Sequence, residues 1–152
     1  MVRIGRGLYR LANSEPGEHQ SLVEACARVP YGVLCLLTAL RYHELTTQVP
    51  SEIWMAMKNG TRYPQIPKIP LHIIRFSGKV FTVGIEEHLV DGVSLRVYCL
   101  EKTIADCFKH RNKIGLDVAL EALREGWGTH RFTMEKIWEY AKIDRVTNVM
   151  CP

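Results

Sequence analysis

The stretch FTVGIEEHLVDGVSLRVYCLEKTIADCFK, residues 81–109, decides the fold class, because its hydrophobic pattern changes from strand-like to helix-like. Apolar residues alternate with other residues over 81–85 and again over 93–97, which predicts two strands. The Asp91-Gly92 pair between them is typical of a hairpin turn. After this hairpin the apolar residues recur with helical spacing, at Leu100, Ile104, Cys107 and Phe108.

Strands are also predicted before this stretch. Residues 71–76 predict a strand that ends at a turn at Ser77-Gly78. Residues 52–58 predict a strand or a short helix. Regular helix is excluded from the segment that follows them, because it contains three closely spaced prolines, Pro64, Pro67 and Pro70.

Helices are predicted on both sides of the strands. Ser21 and Glu24 have the capping-box spacing of a helix start, and this helix should end before Pro30. Residues 33–40 are almost wholly apolar and predict a central core helix. Two more helical faces follow near the C-terminus, formed by Leu116, Ala119, Leu120 and Leu123 and by Met134, Ile137, Trp138 and Ala141. The sequence thus predicts an α+β fold, a small mixed or antiparallel sheet packed with about five helices.

The first residues predict a separate basic hairpin. Apolar residues alternate with others on both sides of a Gly5-Arg6-Gly7 turn. The turn formers of residues 13–17 then mark a boundary. We therefore expect a hairpin at 1–12, a main domain at 18–145 and a tail at 146–152.

Composition indicates a globular chain in a reducing compartment. The 152 residues are 47% hydrophobic and 24% charged, with a net charge of +4, which permits contact with nucleic acid or an acidic partner without demanding either. The five cysteines form no CxxC pair, which is typical of reduced thiols in a cytoplasmic protein. Neither a signal peptide nor a stretch long enough for a membrane span is recognisable.

No catalytic, metal-binding or cofactor-binding motif is complete. The His43-Glu44 pair lacks the second histidine of HExxH, and Ser77-Gly78-Lys79 lacks the leading glycine of a phosphate loop. The one enzymatic alternative is a metal-dependent nuclease or nucleotide-processing enzyme, which would need converging carboxylates. Its candidates are Asp91, Glu101 and Asp106, with Lys102 beside them.

Two groups of charged residues are candidate binding sites. The helix after residue 100 has a polar face that is either simply solvated or docks a partner protein. Three arginines of the first hairpin could lie against a DNA backbone, or could discourage edge pairing of strands. The first group comprises Lys102, Asp106, Lys109, Arg111 and Lys113, and the second comprises Arg3, Arg6 and Arg10.

A third class of function is a protein-interaction module, including a homodimer. Trp127 lies in a glycine-containing stretch, and tryptophan is enriched at binding hot spots, although a core position is the more ordinary role.

Several segments resemble the AbiEi family, antitoxins and transcriptional regulators of type IV, abortive-infection toxin-antitoxin systems. The similarity begins in VPYGVLCLLTAL at 29–40 and HELT at 43–46, and continues in IRFSG at 74–78, GIEEH at 84–88 and VY at 97–98. It is most specific in KTIADCFK at 102–109 and RNKIGLDVALEAL at 111–123.

The resemblance implies a non-enzymatic phage-defence protein that neutralises a nucleotidyltransferase-like toxin or counters its target pathway. It also implies an N-terminal winged helix-turn-helix that represses the operon through promoter DNA. Residues 1–12 are similar to the wing of that domain, with the helix-turn-helix missing from this chain. A wing alone supplies backbone or minor-groove contacts, so sequence-specific repression is expected only of a full-length form.

Overall fold

The structure is a computed structural model that describes residues 16–62, 64 and 66–146. Its five strands are β1 (Val33–Leu34), β2 (Ile53–Lys58), β3 (Leu71–Phe76), β4 (Ile85–Val90) and β5 (Val93–Tyr98). Its seven helices within these residues are α1 (Pro16–Arg28), α2 (Leu36–Tyr42), α3 (Lys79–Thr82), α4 (Leu100–Lys109), α5 (Arg111–Ile114), α6 (Leu116–Gly128) and α7 (Met134–Asp144).

The strands form one mixed sheet in the order β3-β2-β1-β5-β4. Strands β2 and β3 are parallel, and β4 and β5 form an antiparallel hairpin. The two-residue strand β1 joins these halves, antiparallel to β2 and parallel to β5. The α+β class predicted from the sequence is confirmed, with five longer helices and two of four residues each.

Both faces of the sheet are covered. On one face, Val33 and Tyr98 pack with buried residues of α2, α4, α6 and α7, of which α4 provides Ile104 and Phe108. On the other face, Leu34 and Val97 pack with buried residues of α1. The neighbours Val33 and Leu34 point to opposite faces, as the period-two geometry of a strand requires. The hydrophobic core is therefore divided into two layers by the sheet.

The hairpin of β4 and β5 confirms the predicted turn. Val90 pairs with Val93, so Asp91 and Gly92 alone form the loop. Both have positive φ, 52° and 78°, as a type I′ turn requires.

Two sequence predictions are wrong in the secondary structure. Residues 81–85 do not form a strand: residues 79–82 make the helical turn α3, and β4 begins only at Ile85. In this turn the amides of Phe81 and Thr82 donate to the carbonyl of Gly78. Residues 33–40 are not one helix either, because Val33 and Leu34 are drawn into the sheet and α2 begins at Leu36.

The boundaries near the termini also differ from those predicted. Helix α1 begins at Pro16, before the capping-box serine, because proline is well suited to a first helical position. Val146, placed in the tail by the sequence, is buried in the core. The predicted hairpin at 1–12 and the rest of the tail lie outside the described residues. Of the five cysteines, predicted to be reduced thiols, four lie in the described residues; Cys26, Cys35, Cys99 and Cys107 are free, and all four are buried.

Candidate functional site

Lys102 and Asp106, one turn apart on α4, form an ion pair inside the protein. Lys102 Nζ donates to both carboxylate oxygens of Asp106, at 2.8 and 2.7 Å, and the two side chains are 0% and 1% exposed. The prediction that both belong to an exposed docking face is therefore wrong. Helix α4 is packed between α2, α6 and α7, so the charged side chains on its covered side must pair with one another rather than with water.

Two aromatic rings cover the Lys102 ammonium. Its Nζ lies 4.1 Å from the ring centroid of Tyr98 and 5.0 Å from that of Phe76, both in the range of cation–π attraction. Gly84, with φ of +77°, makes room for the stem, because a Cβ there would lie 2.9 Å from Lys102 Cβ. The charge is thus held by groups from β3 and β5 as well as by Asp106.

Tyr98 connects this pair to the surrounding loops. Its hydroxyl donates to the Phe81 carbonyl at 2.6 Å. Its own carbonyl accepts from Thr103 Oγ1 at 3.2 Å and lies 2.8 Å from His43 Nε2. These bonds fix the end of β5 where α4 begins.

A second buried carboxyl, Asp144 at the end of α7, completes the polar cluster. It is 1% exposed, and no N–H or O–H group of the described residues donates to either of its oxygens. The Asp106 carboxyl lies beside it. Burial raises the pKa of Asp106 well above its usual value, Lys102 opposes this, and Asp144 raises the pKa further. Burial and the neighbouring carboxyl thus favour the protonated form of Asp106, whereas Lys102 favours its charged form.

His110 closes the cluster at the end of α4. Its ring stacks on Phe76 with centroids 5.6 Å apart, and none of the described residues forms a hydrogen bond with its Nε2. Burial, followed by the charge of Lys109, lowers the pKa of His110 to about 4, while Asp144 acts in the opposite direction. The imidazole is therefore neutral at pH 7.

The remaining candidates for partner binding lie at the surface, where α4 meets α5. Lys109 and Lys113 are exposed and Arg111 is partly exposed. Arg111 Nη1 donates to the Phe108 carbonyl at 2.8 Å, which fixes its guanidinium over the end of α4. Both lysine charges lower the pKa of His110, so they lie near the same ring. We call Lys109, Arg111 and Lys113 the basic surface.

The carboxylates proposed for a nuclease do not converge. Asp91 lies in the turn before β5 and Glu101 in the first turn of α4, after β5. A strand of that length separates them by about 20 Å. Asp106 is buried with Lys102, and no group of three or more His, Cys, Asp or Glu residues in the described ranges could hold a metal. The nuclease alternative is therefore wrong in the residues it invokes.

An open cleft of about 580 Å³ lies between the start of α4 and α7. Cys99 and Tyr140 form a hydrogen bond at its wall. Burial is the main cause that raises the pKa of the Cys99 thiol, so the group is protonated and a poor nucleophile. Glu86, Glu101, Arg131 and Lys136 give the cleft mixed charge. This arrangement contains no activated nucleophile.

The candidate DNA-binding residues Arg3, Arg6 and Arg10 lie outside the described residues.

Comparison with known proteins gives no relative: no protein-family model and no curated protein matches the chain. Among the described helices, none is long and apolar enough to cross a membrane.

Proposed function

We propose that the chain is an antitoxin and transcriptional regulator of the AbiEi type, acting in the cytoplasm. It would neutralise a nucleotidyltransferase-like toxin and, in a full-length form, repress its own operon. The proposal rests on the resemblance in residues 102–123, which fold into the continuous unit α4, α5 and α6. The observation that favours a binding role for this unit is the basic surface at the junction of its first two helices.

The basic surface is suited to an acidic patch on a protein partner. Its two lysines are mobile point charges, whereas Arg111 is held by the Phe108 carbonyl. Charges at the rim of an interface mainly accelerate association and select the partner, and salt weakens them. We therefore expect toxin binding through this surface to slow as ionic strength rises.

The buried pair beneath this surface has a positioning role in the proposal. Lys102 and Asp106 cannot touch a partner while α4 is packed, since they are 0% and 1% exposed. Their ion pair, with Asp144 behind it, ties α4 to α7 and so fixes the end of α4 that carries Lys109. The motif KTIADCFK is thus assigned to support of the surface rather than to contact with the toxin.

The DNA-binding part of the proposal is assigned to Arg3, Arg6 and Arg10. Arginines on a hairpin contact phosphates and position a protein without reading bases. Fluorescence anisotropy should show equal, salt-sensitive or absent binding of this chain to its own promoter and to scrambled DNA. A clear preference for the promoter would contradict the assignment of backbone contacts without base reading to these arginines.

A growth-rescue assay tests the antitoxin role. The chain is co-expressed with the nucleotidyltransferase-like product of the neighbouring gene, and growth is compared with that of cells expressing the toxin alone. We expect the wild type to restore growth and the triple variant Lys109→Glu, Arg111→Glu, Lys113→Glu to restore it at least tenfold less well. Circular dichroism and the melting temperature verify that the variant folds.

A matched control carries the same change in net charge on other exposed lysines, as Lys58→Glu, Lys136→Glu and Lys142→Glu. It should rescue growth as the wild type does. Failure of the wild type to restore growth would remove the antitoxin proposal. Equal rescue by wild type and triple variant would remove the basic surface from it.

A further inference from the structure

Helix α6 carries an apolar stripe that the rest of the protein covers only in part. Leu116, Leu120, Leu123 and Trp127 follow one another at intervals of three or four residues, so they lie along one side of the helix. Leu116 is 47% and Trp127 56% exposed, and the two leucines between them are partly buried. We call these four residues the α6 stripe.

The core contact of α6 lies on an adjacent side of the helix. Its buried residues are Val118, Ala119, Ala122 and Gly126. At 100° per residue, their centre is about a third of a turn from that of the α6 stripe. The stripe therefore extends the apolar face of α6 beyond the part needed to fill the core.

Two opposite charges flank the outer edge of the α6 stripe. Asp117 and Arg124 are both exposed, and helical geometry places them within about 20° of each other around the axis, two turns apart. Neither belongs to an ion pair with another described residue. An acid near one end and a base near the other end give this edge a self-complementary charge pattern.

We propose that the α6 stripe is the interface of a homodimer, in which α6 packs antiparallel against α6 of a second copy. A two-fold axis that runs between the two helices, perpendicular to both and level with the midpoint of Leu120 and Leu123, makes the contact isologous. Leu116 then lies opposite the partner's Trp127, and Leu120 opposite the partner's Leu123. Of the two exposed side chains of the stripe, the smaller leucine of each copy thus meets the larger tryptophan of the other.

The charges select this second copy over an unrelated apolar partner. In an antiparallel pair related by a two-fold axis, each edge of one helix faces the same edge of the other. In the register centred on the stripe, Asp117 lies near the partner's Arg124, and Arg124 near the partner's Asp117. One short helix thus supplies both halves of two ion pairs, in addition to the apolar contact.

The size of the stripe sets the strength of the dimer. From Leu116 to Trp127 the helix rises about 17 Å. An interface of one helix per copy falls in the low range of specific contacts, under about 1,200 Å² in total. The dimer should therefore be weak, reversible and dependent on concentration. Because the flanking ion pairs are exposed, salt should weaken it further.

Charge exchange between two variants tests the arrangement without altering the core. Sedimentation equilibrium over a concentration series should show a monomer–dimer equilibrium for the wild type. Asp117→Lys alone places like charges at both pairs, and so does Arg124→Glu alone, so each should dimerise at least tenfold more weakly. Mixed in equal amounts, the two variants have opposite charges at both pairs and should associate again.

Helix α7 offers a matched control. Glu135 and Lys142 are an exposed acid and base with the same seven-residue spacing on a helix. Glu135→Lys and Lys142→Glu should leave association unchanged, alone and mixed. A chain that stays monomeric at every concentration overturns the proposal, and leaves the stripe to a different partner. Dimerisation that both α6 variants leave unchanged overturns the interface, and failure of the mixture to associate overturns the antiparallel register.

Discussion

The carboxyl of Asp144, at the end of α7, lies against that of Asp106 on α4 and receives no N–H or O–H bond from the described residues. Two carboxyls thus meet where α4 packs on α7, with Lys102 on the far side of Asp106. Since Asp106 is buried and its pKa is raised, its protonation is coupled to folding. The ionisation of Asp106 and of its neighbour His110 should therefore be visible in stability measurements.

Replacing Lys102 should lower the free energy of unfolding. Lys102→Met leaves the two carboxyls without their cation, and loss of one partner of a buried ion pair destabilises proteins by about 3–5 kcal/mol. Urea denaturation at pH 7 measures the free energy of unfolding. The double variant Lys102→Met, Asp106→Leu, which removes both charges, should recover at least half of that loss. A single variant as stable as the wild type would show that the pair does not act as described.

Asp144→Asn should change the pH dependence of stability. Since the pKa of Asp106 is raised in the folded protein, the folded state holds a proton that the unfolded state releases above about pH 4. The contribution of Asp106 to the free energy of unfolding therefore falls as pH rises from about 4 towards its pKa in the folded protein. Asp144→Asn removes a carboxyl that raises the pKa of Asp106, so the fall should be shallower.

Urea denaturation at several pH values between 4 and 8 measures how steeply the free energy of unfolding falls with pH. Glu139→Gln, on the exposed side of α7, removes one carboxylate of similar sequence position and should keep the wild-type slope. The same slope in Asp144→Asn as in the wild type would contradict the effect of Asp144 on the pKa of Asp106.

His110→Gln should stabilise the protein towards acid. The pKa of His110 is about 4 in the folded protein and about 6.5 when unfolded, so the unfolded state binds more protons between these values. The contribution of His110 to stability thus falls as pH decreases from about 6.5 to about 4. Its sign is opposite to that of Asp106. Urea denaturation at pH 7 and pH 4.5 should show a smaller decrease in the free energy of unfolding for His110→Gln than for the wild type. The control His130→Gln, at an exposed position, should show the same decrease as the wild type.

Gly84→Ala should destabilise more than Gly60→Ala. Both glycines have φ near +80° to +90°, so both variants incur backbone strain of about 1 kcal/mol. Only the methyl at Gly84 would meet a neighbour, at 2.9 Å from Lys102 Cβ, while Gly60 has nothing within 4 Å. A melting temperature lower in Gly84→Ala than in Gly60→Ala is expected. Equal melting temperatures would contradict the close approach of Gly84 to the Lys102 stem.

Local sequence patterns were sufficient to predict several strands and turns of the sheet. The strand at 71–76 and the hairpin turn at Asp91-Gly92 were predicted, because alternation and positive-φ turn residues are encoded by neighbours in sequence. Residues 33–40 and 81–85 were assigned wrongly. Short apolar runs suit either a strand or a helix, and their choice here depends on contacts with distant strands.

The candidate site shows the same limit. The spacing of Lys102 and Asp106 allowed a pair on one helix, but periodicity could not show that other helices cover it. Asp144 was missed, because nothing near it in sequence signals a carboxyl buried against α4. His110 was placed on the polar face of the helix, and its packing on Phe76 depends on a distant strand. Lys109 and Lys113, predicted on the same polar face, are exposed.

The two residues of β1 have a consequence for the order of folding. The hairpin of β4 and β5 can close through a two-residue loop, while β2 and β3 pair across a longer connection. Among the described strands, the two-residue β1 is the one that pairs with both halves, and Cys35 beside it adds a bond from its amide to the Trp54 carbonyl of β2. Cooperative unfolding must therefore pass through this seam, and amide hydrogen exchange there should report whether the halves open as separate units or together.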